Sequence, residues 1–261
     1  MSYPTILFGP ESEPYNIYAA VSPAPGNNGS GGAIAYRGVQ PLGKQLILED
    51  GRKYRFTRHG SGTAIVGDVQ SSAAIITTDQ SMACAAGTIG DRIVTFTHGA
   101  AITIINYFAE GYGIISLDPG QGQTLKIASH AALTSATAGD IINLAPGHAV
   151  RATLTTTSDL SLLAHPYDGT IIMAATIAAC PVGVAQSAIT AGAFGWLQTR
   201  GSCAVRGAAS NTIGSPAVML LTGGTNGAVA PASAATQPQV GFIQMVEGTG
   251  EAQGVFLTID G

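Results

Sequence analysis

Apolar side chains in this chain recur at alternate positions within short runs. No window carries the three- and four-residue spacing of a long amphipathic helix. Runs rich in Ile, Val and Thr, bounded by Gly, Pro, Asp or Ser, predict strands over 45–48, 53–57, 73–77, 91–97, 101–105, 113–117 and 124–128. The same pattern continues over 141–144, 149–155, 171–175, 195–199, 217–221, 241–245 and 254–259. Many short strands at fairly regular spacing give an all-β chain built as a barrel or as sandwich modules.

Residues 1–35 break this pattern. Pro4, Pro10, Pro14, Pro23 and Pro25 oppose helix and central strand, and GNNGSGG at 26–32 predicts a turn or hinge. Yet Ile6, Leu7, Phe8, Tyr15, Ile17 and Tyr18 are too apolar for an idle tail. An extended N-terminal arm that docks on a neighbour accounts for both features, and so does a tail that folds back on its own body. The docking alternative makes Ile6, Leu7, Phe8, Tyr15 and Tyr18 the candidate partner-binding residues, and predicts that a chain without 1–35 folds but loses its partner. Behind the arm, the spacing divides the chain into a β module at 36–118, a middle β segment or insertion at 119–180, and a C-terminal β module at 181–261. Turn-and-strand echoes support related modules rather than a fixed-period solenoid. One is Thr88-Ile-Gly-Asp91 before an apolar run, repeated as Thr137-Ala-Gly-Asp140. In each, the Asp side chain is placed to accept from nearby backbone amides.

Charge changes the picture most. Charged residues make up 10% of the chain, against about 25% in an average soluble protein. Aromatics supply only 6%, whereas Gly alone contributes 35 residues. A surface of small neutral side chains suits burial against other subunits better than life as a free monomer. Net charge is −4 and lysine occurs only as Lys44, Lys53 and Lys126, so no nucleic-acid footprint is present. The single basic cluster is Arg52, Lys53, Arg55, Arg58 and His59. Alternation puts Arg52 and Arg58 with Tyr54 and Phe56, and Lys53 and Arg55 on the opposite face. It reads as an edge strand guarded by charge, or as a contact for an acidic partner.

Candidate chemistry is sparse. There is no phosphate-binding G-x-x-x-x-G-K-[ST] loop and no G-x-S-x-G elbow. His59, His98, His130, His148 and His165 are scattered without metal-ligand spacing. The carboxylates near turns come without the exposed aromatics of sugar-cleaving enzymes. The lone Trp196 fits a partly buried strand position, packed in a core or subunit interface. Cys84, Cys180 and Cys203 are widely spaced and read as small core residues of a protein made in a reducing cytoplasm. The chain start lacks a signal-peptide pattern. The charge-free stretches 169–199 and 207–246 are too broken by Pro, Gly, Gln and Asn to span a membrane as helices. The expectation is a non-enzymatic protein with no catalytic residue, cofactor or metal.

Three elements carry a resemblance: Gly51-Arg-Lys-Tyr-Arg-Phe56 after Leu46-Ile-Leu-Glu-Asp50, the VGVA…AGAFGWLQTRG run at 182–201, and the closing VGFIQMVEGTGEAQGVFLTIDG. They resemble head decoration (cement) proteins and related virion structural proteins of tailed bacteriophages. The likeness covers about 45–100 and 180–261, covers 119–170 poorly, and leaves out the arm. It rests on turn-and-strand patterns, not on chemistry. It implies a small β-barrel or β-tulip body, made in the host cytoplasm and located on the capsid exterior. It also implies a homo-oligomer, a trimer by the resemblance, that bridges capsomers of the major capsid protein, with no nucleic-acid or membrane partner. A tail, baseplate or receptor-binding β module of the virion is the alternative.

Overall fold

A computed structural model describes residues 6–19, 40–134, 138–174, 179–208, 211–219, 226–233, 237–248 and 250–260. The predicted hinge at 26–32 lies outside them. The chain divides into two compact units, and 75–165 forms the described part of the second, set into the sequence of the first. The breaks thus fall at 74/75 and 165/166, where sequence spacing had placed limits at 118/119 and 180/181. The reason is long-range pairing: strands before residue 74 find their partners after residue 166, which turn spacing cannot reveal.

The all-β expectation holds. In the first unit the chain makes β1 (Ile6–Phe8), β2 (Gln45–Ile47), β3 (Lys53–His59), β4 (Thr63–Ala64) and β5 (Val69–Ser71). The second unit holds β6 (Met82–Ala83), β7 (Ile93–Thr97), β8 (Tyr112–Ile115), β9 (Thr124–His130), β10 (Ala138–Leu144) and β11 (Asp159–Leu163). The first unit resumes with β12 (Asp168–Ile172), β13 (Pro181–Ala185), β14 (Ile189–Thr190) and β15 (Phe194–Arg206). It ends with β16 (Pro216–Met219), β17 (Val229–Pro231), β18 (Gln239–Met245) and β19 (Ala252–Thr258).

In the second unit the order β6-β11-β8-β9-β10-β7 closes on itself. Cys84, just past β6, bridges Phe96 of β7, and the Ala85 N–H donates to Thr95 O at 2.8 Å. Inward positions of the alternating strands fill this small barrel: Phe96, Ile115, Leu125, Ile127, Ile142 and Leu160, with Phe108 from a connecting turn. Asp91 accepts the Thr88 N–H at 2.7 Å, the turn expected from the Thr-Ile-Gly-Asp pattern.

The first unit is also built on a closed ring. β3 pairs in parallel with β12, and β12–β5, β5–β13, β13–β15 and β15–β3 are antiparallel. β15 is thirteen residues long and bulges at Thr199, where the register with β3 shifts. Its first half closes the ring. Its second half, from Arg200, pairs with β19 and opens into the sheet β15-β19-β18-β16-β17. One apolar cluster gathers Ala64, Val182, Ala185, Ile189, Ala193 and Leu197. A second lines the sheet beneath Val205, Val240, Ile243, Val255 and Leu257. β18 and β19 approach so closely that a Cβ on Gly241 would lie 2.0 Å from the Phe256 carbonyl oxygen, so only glycine fits there.

Candidate interaction surface

The described part of the N-terminal segment folds back on its own unit. β1 runs parallel to β2, pairing Ile6 with Gln45 and Phe8 with Ile47. Pro14 is buried in a short 3-10 turn, and Tyr18 forms an antiparallel bridge with Phe194. The anchor is Glu13. Its carboxylate accepts from the Tyr18 hydroxyl at 2.7 Å and from Trp196 Nε1 at 3.2 Å. Trp196 is fully buried, more than alternation alone predicted. It meets Phe56 edge-on at 5.0 Å, and Tyr18 packs edge-on against Phe56 at 5.8 Å. Burial, with the Glu13 charge adding to it, pushes the Tyr18 hydroxyl up to about 12. Residues 6–18 are therefore part of the body rather than a free arm. Of the candidate binding residues, Tyr18 is an internal contact and Leu7 is half-buried. Ile6, Tyr15 and above all Phe8, at 77% exposure, present apolar surface.

The basic strand is not an edge. β3 has β2 and β12 along one side and β15 along the other. Most of its cations are spent inside the fold. Arg55 grips Asp260 through Nε at 2.8 Å and a second guanidinium nitrogen at 2.9 Å. Burial works against the Asp260 charge, but this fork outweighs it and holds the carboxyl below the usual carboxylate range. Arg58 Nε lies 2.5 Å from Asp168, and Arg52 pairs with Asp50 and Glu11. His59 is enclosed, and its Nε2 has no hydrogen-bond partner among the described residues. Burial lowers its pKa.

Lys53 is different. It lies directly across from Arg200 of β15, and neither makes an ion pair among the described residues. Like charges in opposed strand positions repel, so this pair is held together by the backbone rather than by mutual attraction. Asp50, Arg52, Lys53, Arg200, Gly201 and Ser202 line an open groove with Ile47 and Phe256 as its apolar walls, and Asp50 is taken by Arg52. The groove continues past Ile47 toward Phe8 and Pro10.

Beyond Arg200 the outward side of the sheet carries no charge until Arg206. Ser202 and Ala204 of β15 face Phe256 and Gly254 of β19, and Phe256 faces Phe242 of β18. Phe242 and Phe256 are 45% and 37% exposed, Met245 is also exposed, and Ser202 donates to Gln244 at 2.9 Å. Sequence reasoning placed these strands but missed this face. The signal was available in 252–258, where alternation puts Phe256 opposite the buried Val255 and Leu257, and at Phe242, which it puts opposite the buried Ile243. Val240 departs from the alternation where the register of β18 with β16 shifts.

The remaining polar groups serve the fold. Asp79 accepts from His98 at 3.1 Å, and the Phe108 N–H donates to His130 Nε2 at 2.9 Å. Arg206 reaches the enclosed Asp68 at 2.8 Å; burial pushes that carboxyl up to about 6, and the arginine offsets only part of the effect. Cys84 and Cys203 are core residues as expected, whereas Cys180 is exposed because it precedes the start of β13. Among the described residues no group of three or more His, Cys, Asp or Glu side chains is arranged to hold a metal. No described helix is long and apolar enough to cross a membrane. Compared with known proteins, the chain matches no family model, no curated protein and no solved structure.

Proposed function

We propose that this chain is a non-enzymatic structural protein of a virion, a decoration subunit that binds the outside of a bacteriophage head and bridges neighbouring capsomers. The observation that carries the reading is the uncharged outer side of β15, β19 and β18, with Phe242, Met245 and Phe256 in solvent. Apolar surface of this kind marks a place that another protein covers. The 10% charged fraction points the same way, because such a subunit gains solubility by being covered rather than by net charge.

The mechanism is attachment, not turnover. A pressurised shell fails where capsomers separate, and a self-associating subunit that spans the junction turns several weak contacts into one tight attachment. The rigid closed rings suit this role, because little conformational entropy is lost on docking. The test is the position and copy number of the protein in purified particles, read by electron microscopy and quantitative mass spectrometry. Hundreds of copies on the head are expected. A handful at one vertex, or none in the particle, overturns the reading.

A further inference from the structure

We infer that the Lys53–Arg200 groove receives the acidic β18–β19 turn of a second copy of this chain, making a head-to-tail contact between subunits. The inference deepens the structural reading above and rests on its self-association. Between β18 and β19, Glu247 and Glu251 lie in exposed positions. Glu251 caps the Gly248 N–H at 2.9 Å, which fixes the turn, and neither carboxylate has an ion pair among the described residues. At the other end of the sheet, Lys53 and Arg200 are two cations in a groove whose lining carboxylate, Asp50, is engaged by Arg52. Asp260, whose charge Lys53 also favours, is gripped by Arg55. Two of the chain's eleven Lys and Arg thus stand side by side without an ion pair among the described residues.

These opposite charges cannot meet within one copy. Ala252, beside the turn, pairs with Arg206, whereas Thr258 pairs with Arg200. Six residues of extended strand separate the two ends by roughly 20 Å, more than the side chains can bridge. The cation nearest the turn, Arg206, is already committed to Asp68. Complementary charge on two ends of one strand pair therefore points to a heterologous contact, which closes into a ring or extends as a filament according to the rotation it imposes. The apolar walls Ile47 and Phe256 flank the groove, so docking removes water from the ion pairs and strengthens them.

The test uses the full chain in sedimentation velocity, at low salt and at 0.5 M NaCl. Arg200→Glu and Glu247→Arg should each weaken self-association at least tenfold, and the wild-type complex should loosen in high salt. The double variant, with the charges exchanged, should recover to within about threefold of wild type. Arg200→Gln, with thermal melting of each variant, separates lost contact from lost folding. A wild type that sediments as a single subunit overturns the inference. So does a double variant no better than the singles, or single variants that assemble normally. Binding to heads, assayed separately, decides the decoration reading: wild-type subunits that assemble but leave heads bare refute that reading and leave this contact standing.

Discussion

Replacing Phe242 and Phe256 together with alanine tests the uncharged face directly. The two residues are register partners on β18 and β19 and are 45% and 37% exposed. With a phenylalanine taken as about 200 Å², the pair leaves about 165 Å² exposed. Covering that area at about 25 cal/mol per Å² contributes roughly 4 kcal/mol to an interface. Alanine keeps the backbone and Cβ share, so roughly 2–3 kcal/mol is lost, on the order of 100-fold in affinity. The fold suffers less, because the buried face of both strands, Val240, Ile243, Val255 and Leu257, is untouched. Loss of the cross-strand aromatic pair costs about 0.2–1 kcal/mol, with a further contribution from the buried part of each ring. The assay is a binding isotherm of the variant on undecorated heads, set beside its urea midpoint. A variant that folds and binds within threefold of wild type refutes the argument, because the face would then lie outside the contact with the head.

Two further outcomes follow from groups inside the units. Glu13→Ala removes the acceptor for Tyr18 and for the buried Trp196 N–H, and an unsatisfied buried donor costs about 1–3 kcal/mol. The urea midpoint should fall accordingly and the emission of the single tryptophan should shift, whereas Glu13→Gln, which keeps an acceptor, should recover most of the loss; an unchanged alanine variant would show that the N-terminal turn is not anchored there. Burial holds the His130 pKa below its usual value of 6.5, so its contribution to stability is full above 6.5 and is lost as pH falls below it. Unfolding midpoints at pH 7.5 and 5.5 should differ less in His130→Gln than in wild type, and equal differences would contradict the assignment.

Much of the fold was legible as local pattern. β2, β3, β7, β9, β10 and β19 fall where alternation in a β-branched run placed them, because one face of each is buried. Strands were missed where the pattern is short or atypical. Val69–Ser71 is buried on every residue and shows no alternation, and Pro181–Ala185 begins with a proline and contains a glycine. Predicted strands at 73–77 and 149–155 do not form: the first leads into a 3-10 turn at Thr77–Asp79, and the second makes the bridge of Leu154 to Gly87 and backbone hydrogen bonds of Val150 with Gly90 and Asp91 without becoming a strand. The basic strand was legible as a cluster but not as a central strand, since β12 and β15, which cover it beyond its hairpin with β2, come from more than 100 residues away. The exposed phenylalanine pair was partly legible, since alternation puts Phe256 outward, but its pairing with Phe242 shows only once the register of β18 and β19 is known.

The insertion of 75–165 has a consequence for synthesis. Phe56 meets Trp196 across β3 and β15, so the first ring cannot close until about 140 further residues have left the ribosome. At roughly 5–20 residues per second that is a wait on the order of ten seconds, during which β2 and β3 have no late partners. The strands of the second unit, Met82 to Leu163, are all made before β12 and can close their barrel during that interval. A nascent chain therefore carries a finished domain behind the first half of an unfinished one. Its most vulnerable moment, when a chaperone or a neighbouring nascent chain could capture Tyr54 and Phe56, comes before release.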